Sequence, residues 1–217
     1  MRRGLLALLA VSLAAALALP ASALALRVHV RVEGATTTIY GAGQPRVTPF
    51  TGELAVDEGA PLTLEAPTAL GALETASRRG EFFYRLTATS FGPYVSQIGK
   101  WPGEGASGWV YKVNGVSPPV GADAYMVKEG DEVLWYYATF GPSGGPLTLD
   151  LDRSGRRGCF RAFQVDDTGA RSQARNVVFR VGAHAVPDKD GRFCPSGHWH
   201  RLTATKDGMV RSQAIVR

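Results

Sequence analysis

The clearest hydrophobic pattern in the chain is the alternation over residues 26–33. Val28, Val30 and Val32 alternate there with polar residues, and a period of two is typical of a strand with one buried face. We therefore predict a half-buried strand at this position. Weaker β patterns extend over residues 36–40 and 47–56.

One helix is predicted, and it begins after Thr68. This residue is suited to the N-cap, because its hydroxyl accepts a hydrogen bond from a backbone N–H of the first turn. Leu70, Leu73 and Ala76 then repeat at helical spacing. Gly80 is suited to end the helix.

Aromatic residues dominate two of the strands predicted after the helix. Trp109 and Tyr111 share one face of the first, and Trp135 and Tyr137 share one face of the second, because side chains alternate along a strand. The dipeptide at residues 114–115, Asn-Gly, predicts a type I′ turn. The strands predicted after the helix cover residues 82–86, 94–98, 108–113 and 132–140.

A segment rich in Gly and Pro, residues 142–146, predicts a linker. We therefore expect two domains, residues 26–141 and residues 147–217. The second has no helix pattern, and its short strands and regularly spaced turns favour a β-sandwich. Its strands are predicted at residues 147–151, 159–165, 176–181, 199–205 and 209–216.

Residues 1–23 have the order of a secretory signal peptide. Arg2 and Arg3 precede an apolar run that ends at Pro20, and small residues follow at cleavage spacing. The run of about 15 residues is shorter than the ~20 that span a bilayer. We expect cleavage, a mature chain without a transmembrane span, and a protein that is secreted or held in the cell envelope.

Charge is divided unequally along the chain. Residues 24–141 carry 9 Lys and Arg against 12 Asp and Glu, whereas residues 142–217 carry 13 against 7. The basic second domain is suited to an anionic envelope polymer as a partner, although a solvated basic face is the simpler interpretation. We do not expect nucleic acid as a partner outside the cell.

Two cysteines, Cys159 and Cys194, lie in the second domain. An even count in an exported chain favours a disulfide between them, which is our prediction. The alternative is a zinc site, which requires four ligands. His184, His198 and His200 are the histidines available to it, and the last two would share a side if they lay on a strand.

Six residues are candidates for ligand binding. Their aromatic members form either a platform for a flat ligand or the core of a small sheet, and we assign most of them to the core. The loops at residues 92–99 and 114–121 are better placed for contact, since loops on rigid scaffolds often carry binding residues. The candidates are Tyr94, Gln97, Trp109, Tyr111, Asn114 and Trp135.

A family resemblance is carried by the combination of residues 92–99, 108–115, 120–122 and 128–135. On these segments the first domain resembles the C-terminal domain of the transcobalamin and intrinsic factor family, in its uncharacterised bacterial version. The resemblance implies a β-grasp-like mixed sheet over one helix and a cobalamin-like ligand. In those carriers the domain covers one face of the corrinoid and a helical barrel holds the other. No barrel pattern occurs in this sequence, so we expect weak binding or a separate partner for the second face.

The second domain, on residues 188–192 and 202–212, is similar to bacterial immunoglobulin-like or carboxypeptidase-regulatory-like surface modules. This resemblance implies an Ig-like sandwich that serves as a spacer or an adhesion unit. The expected fold class is therefore mainly β with one helix, namely a β-grasp-like α+β domain followed by an Ig-like β-sandwich.

The sequence contains no Gly-x-Ser-x-Gly, His-Glu-x-x-His or phosphate-loop motif. We therefore expect a protein that is not an enzyme and has no resident cofactor. The leading hypothesis is a secreted binding module for a corrinoid-like small molecule, a glycan or an envelope component. The alternative is a structural or adhesion protein without a small-molecule ligand, and a zinc-dependent hydrolase is the third hypothesis.

Overall fold

The structure is a computed structural model that describes residues 25–57 and 59–217. The predicted signal peptide, residues 1–23, lies outside the described residues. Within the described range the fold is mainly β with one helix, as predicted. That range holds no helix with the length and the apolar content that crossing a membrane requires.

The N-terminal part, residues 25–141, contains the helix and ten of the described strands. In chain order they are β1 (Val28–Glu33), β2 (Thr38–Tyr40), β3 (Arg46–Val47), β4 (Gly52–Leu54), β5 (Leu62–Leu64), α1 (Ala69–Gly80), β6 (Tyr84–Thr89), β7 (Gly92–Ile98), β8 (Trp101–Pro102), β9 (Ser107–Val113) and β10 (Glu132–Thr139). The C-terminal part, residues 142–217, continues with β11 (Thr148–Arg153), β12 (Phe160–Val165), β13 (Arg171–Gln173), β14 (Val177–Val181), β15 (His184–Asp188), β16 (Arg192–Phe193), β17 (Arg201–Thr205) and β18 (Ile215–Val216).

A mixed sheet in the order β2-β1-β10-β9 lies at the centre of the N-terminal part, and β3 also pairs with β1. β1 and β10 run parallel, whereas the other pairs are antiparallel. The helix α1 packs on one face of this sheet, with Leu70, Leu73 and Ala76 buried in the same core as Val28 and Val30. This mixed sheet over one helix agrees with the predicted β-grasp-like arrangement.

The ends of α1 lie where the sequence predicts them. The Thr68 hydroxyl accepts a hydrogen bond from Gly71 N at 3.1 Å and so caps the first turn. The last helical residue is Gly80, and the left-handed position that follows is filled by Glu81, with φ of 52°. The N–H of Glu81 donates to Ser77 O, so a helix-ending bond forms without glycine in the left-handed position.

The predicted strand over residues 47–56 is wrong in its extent, because β3 and β4 are separate. Between them the chain crosses close over α1, where Phe50 N donates to Gly71 O at 2.9 Å and Thr75 Oγ1 donates to Thr48 O at 2.8 Å. A Cβ on Gly71 would collide with the carbonyl oxygen of Phe50. The helix therefore carries a glycine because another backbone lies against it.

Two four-stranded sheets form the C-terminal part. One contains β11, β12, β13 and β16, and the other has the order β15-β14-β17-β18. Leu149 and Phe160 from the first sheet and Phe179 and Leu202 from the second are fully buried in one core cluster. The predicted sandwich is therefore present. Three strands of this part were not predicted, namely β13, β15 and β16. Each of them pairs with one other strand and carries no buried side chain.

The predicted strand over residues 209–216 is wrong in most of its length, since only β18 forms there. The preceding segment turns inward, and the Gln213 side-chain amide exchanges two 3.0 Å hydrogen bonds with the backbone of Leu151. Ser212 Oγ accepts a hydrogen bond from Ala204 N at 2.8 Å. Buried side chains thus supply bonds that a longer strand ladder would have supplied.

Cys159 and Cys194 form a disulfide, as predicted. Cys159 immediately precedes β12 and Cys194 immediately follows β16, and these two strands pair at Phe160 and Phe193. The disulfide therefore joins neighbouring strands of one sheet. It closes a covalent loop over a sequence separation of 35 residues.

The second face of the N-terminal sheet is covered by the C-terminal part. Leu134, Tyr136 and Ala138 of β10 share a buried cluster with Val210. The prediction that β1 is half-buried is therefore wrong, because its polar residues Arg31 and Glu33 are also buried. A period of two shows that the faces of a strand differ, and it does not show whether the polar face meets water.

Buried charges form pairs across this interface. Arg211 Nη1 lies 3.2 Å from Glu33 Oε2, and Arg31 Nη1 donates to Arg211 O at 2.8 Å. Lys112, which is fully buried, donates through Nζ to Asp166 O at 2.9 Å and lies 3.2 Å from Asp167 Oδ1. Burial raises the pKa of the Glu33 carboxyl, against the lowering effect of the two arginines. Burial likewise lowers the pKa of the Lys112 ammonium, against the effect of Asp167.

We predict that Lys112→Met destabilises the protein by about 1–3 kcal/mol, because acceptors of the C-terminal part would lose their buried donor. Urea unfolding measured by fluorescence provides the test. Lys100→Met is the control, since Lys100 is exposed and makes no ion pair among the described residues. Equal stability of the two variants would contradict the role given to Lys112.

We predict that the double variant Cys159→Ser with Cys194→Ser loses about 3–4 kcal/mol of unfolding free energy, from the loop entropy of the unfolded chain. Thermal unfolding of the wild type with and without reductant is the companion measurement. The reduced wild type and the double variant should unfold at the same temperature. An unchanged unfolding temperature in both would contradict the prediction.

Candidate functional site

A concave and mainly apolar cleft lies beside β9, with a volume of about 360 Å³. We call it the aromatic cleft. One side is formed by β7 and the opposite side by the loop that follows β9, while β9 and β10 form the floor. Its walls include Tyr94, Trp109, Tyr111, Pro118, Asp123 and Trp135.

The floor of the aromatic cleft consists of packed aromatic rings. Trp135 stacks on Tyr111 with ring centroids 5.3 Å apart, and Tyr111 meets Tyr125 edge to face at 6.3 Å. Trp109 packs edge to face on Tyr137 at 5.6 Å. Trp109 and Trp135 are almost completely buried, in agreement with the assignment of most of these aromatic residues to the core.

Trp135 differs from Trp109 in its hydrogen bonding. The Trp109 indole Nε1 donates to Trp101 O at 2.8 Å. The Trp135 Nε1 is buried and has no hydrogen-bond partner among the described residues. A buried donor without an acceptor costs free energy, so a ligand with an acceptor at this point would remove that cost.

The edge of β9 adds backbone groups to the aromatic cleft. Asn114 N donates to Glu132 O at 2.9 Å, so Asn114 and every second residue before it form hydrogen-bonded pairs with β10. Trp109 and Tyr111 fall between these pairs, and their N–H and C=O groups therefore point away from β10. No other strand pairs with β9 at these two residues in the part of the chain that the structure describes.

Tyr94 is the exposed aromatic residue at the rim of the cleft, with 39% of its surface accessible. Its hydroxyl lies over Gly108, where a Cβ would collide with it. Glycine at this position of β9 therefore makes room for the Tyr94 ring. Phe140, which is 44% exposed, lies on the same cleft.

The hydroxyl of Tyr111 fixes the loop that follows β9, because it donates to Val120 O at 2.8 Å. Burial, with smaller contributions from the nearby Tyr125 and Asp123 in the same direction, raises the pKa of Tyr111 to about 12. The phenol is therefore neutral over the physiological range and serves as a hydrogen-bond donor.

Two predicted site residues lie away from the aromatic cleft. Gln97 donates through Nε2 to Gly99 O at 2.8 Å, in the strand that pairs with β8. Asn114 donates to Asp131 Oδ1 at 2.8 Å and accepts from Glu132 N at 2.9 Å, so its side chain ties the end of β9 to the start of β10. Of the six candidates, the structure brings together Tyr94, Trp109, Tyr111 and Trp135.

Sequence reasoning missed the contribution of the C-terminal part to this site. Asp167 lies on the aromatic cleft, where its backbone O accepts from Ser117 N at 2.8 Å and its side chain accepts from Ser117 Oγ at 3.0 Å. The predicted contact loop at residues 114–121 did contain Ser117 and Pro118. Nothing in the local pattern at Asp167 indicated a partner 50 residues earlier.

The residues of the alternative zinc site do not assemble as that hypothesis requires. The sulfurs of Cys159 and Cys194 are bonded to each other and so do not offer two thiolates. His198 and His200 precede β17 and do not lie on a strand. In residues 25–57 and 59–217, no group of three or more His, Cys, Asp or Glu side chains is arranged to hold a metal ion.

Residues 68–139 match a family model described as a domain of unknown function, DUF4430. The matched segment begins at the N-cap of α1 and ends with β10, so it contains every wall residue of the aromatic cleft except Phe140 and Asp167. No curated protein matches the chain. The chain therefore contains a DUF4430 domain at residues 68–139. The description of this domain states no activity and no ligand.

We predict that Tyr111 ionises near pH 12 rather than near 10, because its neutral form is favoured in the folded protein. Its contribution to stability is present below pH 10 and is lost as the pH rises towards 12. The ultraviolet titration difference between wild type and Tyr111→Phe measures this step. In Asp123→Asn the step should move to lower pH, and ionisation of Tyr111 near pH 10 in the wild type would contradict the assignment.

Proposed function

We propose that the chain is an exported, non-catalytic binding module whose aromatic cleft holds a flat and mainly apolar small molecule. The Cys159–Cys194 disulfide supports work in an oxidising compartment. The leader pattern at residues 1–23 also supports export, because it has the order of a secretory signal peptide. Binding is assigned to the cleft because small-molecule sites combine an apolar concave wall with a few converging polar groups.

The buried and unpartnered Trp135 Nε1–H is the observation that carries this proposal. Trp135 lies in a mainly apolar wall of the cleft, next to an edge strand whose N–H and C=O groups at Trp109 and Tyr111 have no strand partner. A ring system with one or two acceptors would pack on the side chains that line the cleft, and it would accept from the indole once the side chains that cover Nε1 move aside. Such a ligand gains apolar burial and also satisfies groups that otherwise lack partners.

The charge around the aromatic cleft restricts the ligand. Asp123 and Asp167 supply carboxylates, and the carboxylate of Asp167 is paired with the Lys112 ammonium at 3.2 Å. The excess charge is therefore negative. This field favours a neutral or cationic ligand over an anionic one.

The size of the cleft bears on a corrinoid-like ligand, which the resemblance to the transcobalamin and intrinsic factor family suggests. A volume of about 360 Å³ is at the lower end for a drug-sized molecule. It would hold a small planar ligand or the edge of a macrocycle. A whole corrin would then need a separate partner to cover its other face.

A second candidate function is an adhesion or structural role without a small-molecule ligand. Phe91, at the turn between β6 and β7, is 99% exposed. Loop tips often carry contact residues, and Phe91 would be available there to another macromolecule. Under this function the aromatic cleft would bind no small molecule at all.

We predict that cobinamide or cobalamin binds the folded chain with a calorimetric signal, and that Trp135→Phe weakens binding about fivefold to tenfold. The expected loss corresponds to one hydrogen bond of about 1 kcal/mol, because phenylalanine keeps an aromatic side chain at this position, smaller than the indole, and removes the donor. Isothermal titration at constant salt measures both affinities.

Trp199→Phe is the matched control for this experiment. Trp199 is also buried with an unpartnered Nε1, but it packs on Phe160 in the sandwich core. Its substitution should leave the affinity unchanged. The absence of binding for both corrinoids would remove the corrinoid assignment and favour the adhesion role. Equal weakening by both tryptophan variants would remove the assignment to the aromatic cleft.

A further inference from the structure

A second concave surface lies on the opposite side of the N-terminal sheet from α1, where the turn between β1 and β2 approaches the outer face of β14 and β17. Its volume is about 770 Å³, roughly twice that of the aromatic cleft, and its lining is mainly polar. We call it the basic groove. Its charged lining residues are Arg180, Arg201, Lys206, Asp207 and Arg211.

Strand register explains why these cations lie together. Arg180 of β14 is directly opposite Thr203 of β17, and Arg201 and Thr205 lie on the same face as Thr203, because alternate residues share a face. The opposite face of both strands enters the sandwich core. The outer face thus presents guanidinium groups interleaved with hydroxyl groups.

Three of the four cations are not neutralised within the protein. Arg180, Arg201 and Lys206 make no ion pair with any described residue within 4 Å, and the Arg201 guanidinium donates only to Thr38 Oγ1, at 3.3 Å. Asp207 is the one carboxylate among the described lining residues of the groove. The groove therefore carries an excess of positive charge together with free donors.

Arg211 holds the wall of the basic groove in place. Its guanidinium donates to Gly34 O and Ala35 O at 3.3 Å each and pairs with Glu33 at 3.2 Å, which fixes the β1–β2 turn against the C-terminal part. Burial lowers the pKa of Arg211, and the positive charges of Arg31, Arg201 and Arg180 lower it further. The cations of the groove are thus close enough to repel each other in the absence of an anion.

We infer that the basic groove binds an extended ligand with successive phosphate groups, such as the phosphates along a linear polymer. Several unneutralised cations in one groove match more than one anionic group. Phosphate suits them because each internal phosphate of such a chain carries a permanent negative charge near neutral pH, and its two non-bridging oxygens accept from guanidinium, ammonium and hydroxyl donors. The groove is concave between two walls, so it fits a chain better than the flat surface of a membrane. This inference is independent of the aromatic cleft.

Titration of the folded chain with tripolyphosphate tests this inference at low and moderate salt. We expect binding that weakens as salt rises, and at least tenfold weaker binding in the double variant Arg180→Gln with Arg201→Gln. The matched control is Arg157→Gln with Arg175→Gln, which removes the same charge from exposed arginines outside the groove. The control should change the affinity less than twofold, and all proteins should unfold at the same temperature.

Other probes separate the competing explanations. Equal weakening by the two double variants would overturn the inference, because it would show attraction to net charge alone. If inorganic monophosphate bound as tightly as tripolyphosphate, the inference that the ligand is extended would be wrong. Oligogalacturonate of equal affinity would overturn the preference for phosphate over carboxylate. Binding to phosphatidylglycerol vesicles without binding to tripolyphosphate would overturn the choice of a polymer over a membrane.

Discussion

The C-terminal part covers the second face of the N-terminal sheet, and the other features of the structure depend on this contact. Charged residues lie on that face, and Arg31, Glu33 and Lys112 are buried there. Removing charges from water is costly unless each charge finds a partner. The partners, Arg211 and the backbone and side chain of residues 166–167, belong to the C-terminal part. The buried ion pairs therefore fix which surfaces of the two parts meet.

Both candidate sites lie along the seam that these contacts define. On one side Asp167 fastens the loop beside β9 and becomes a wall of the aromatic cleft. On another side Arg211 fastens the β1–β2 turn and becomes a wall of the basic groove. The cleft carries excess negative charge and the groove excess positive charge. Contact between the two parts thus produces two concave surfaces of opposite charge, which suit the two ligand classes proposed for them.

The helix and the strong strands were predictable because their signals are local. Thr68 and Gly80 define the helix within one or two residues, and the alternation at Trp109, Tyr111 and Trp135 defines the faces of β9 and β10. Four of the six residues predicted from aromatic content and loop position lie on the aromatic cleft. The other two, Gln97 and Asn114, are polar residues of loops or strand ends whose side chains satisfy neighbouring groups. A sequence pattern does not distinguish these two uses of a polar side chain.

The sequence by itself determined the helix, the strongly patterned strands, the disulfide partners and the excess of basic residues after residue 142. These depend on propensity, periodicity and count, which act over a few residues or over the whole composition. Only the tertiary structure decided that the polar face of β1 is buried, that Trp135 Nε1 lacks an acceptor, and that Arg180 and Arg201 face a turn formed by residues 34–37. The physical reason is that desolvation and ion pairing depend on which distant part of the chain packs against a strand. Periodicity along that strand carries no information about the distant part.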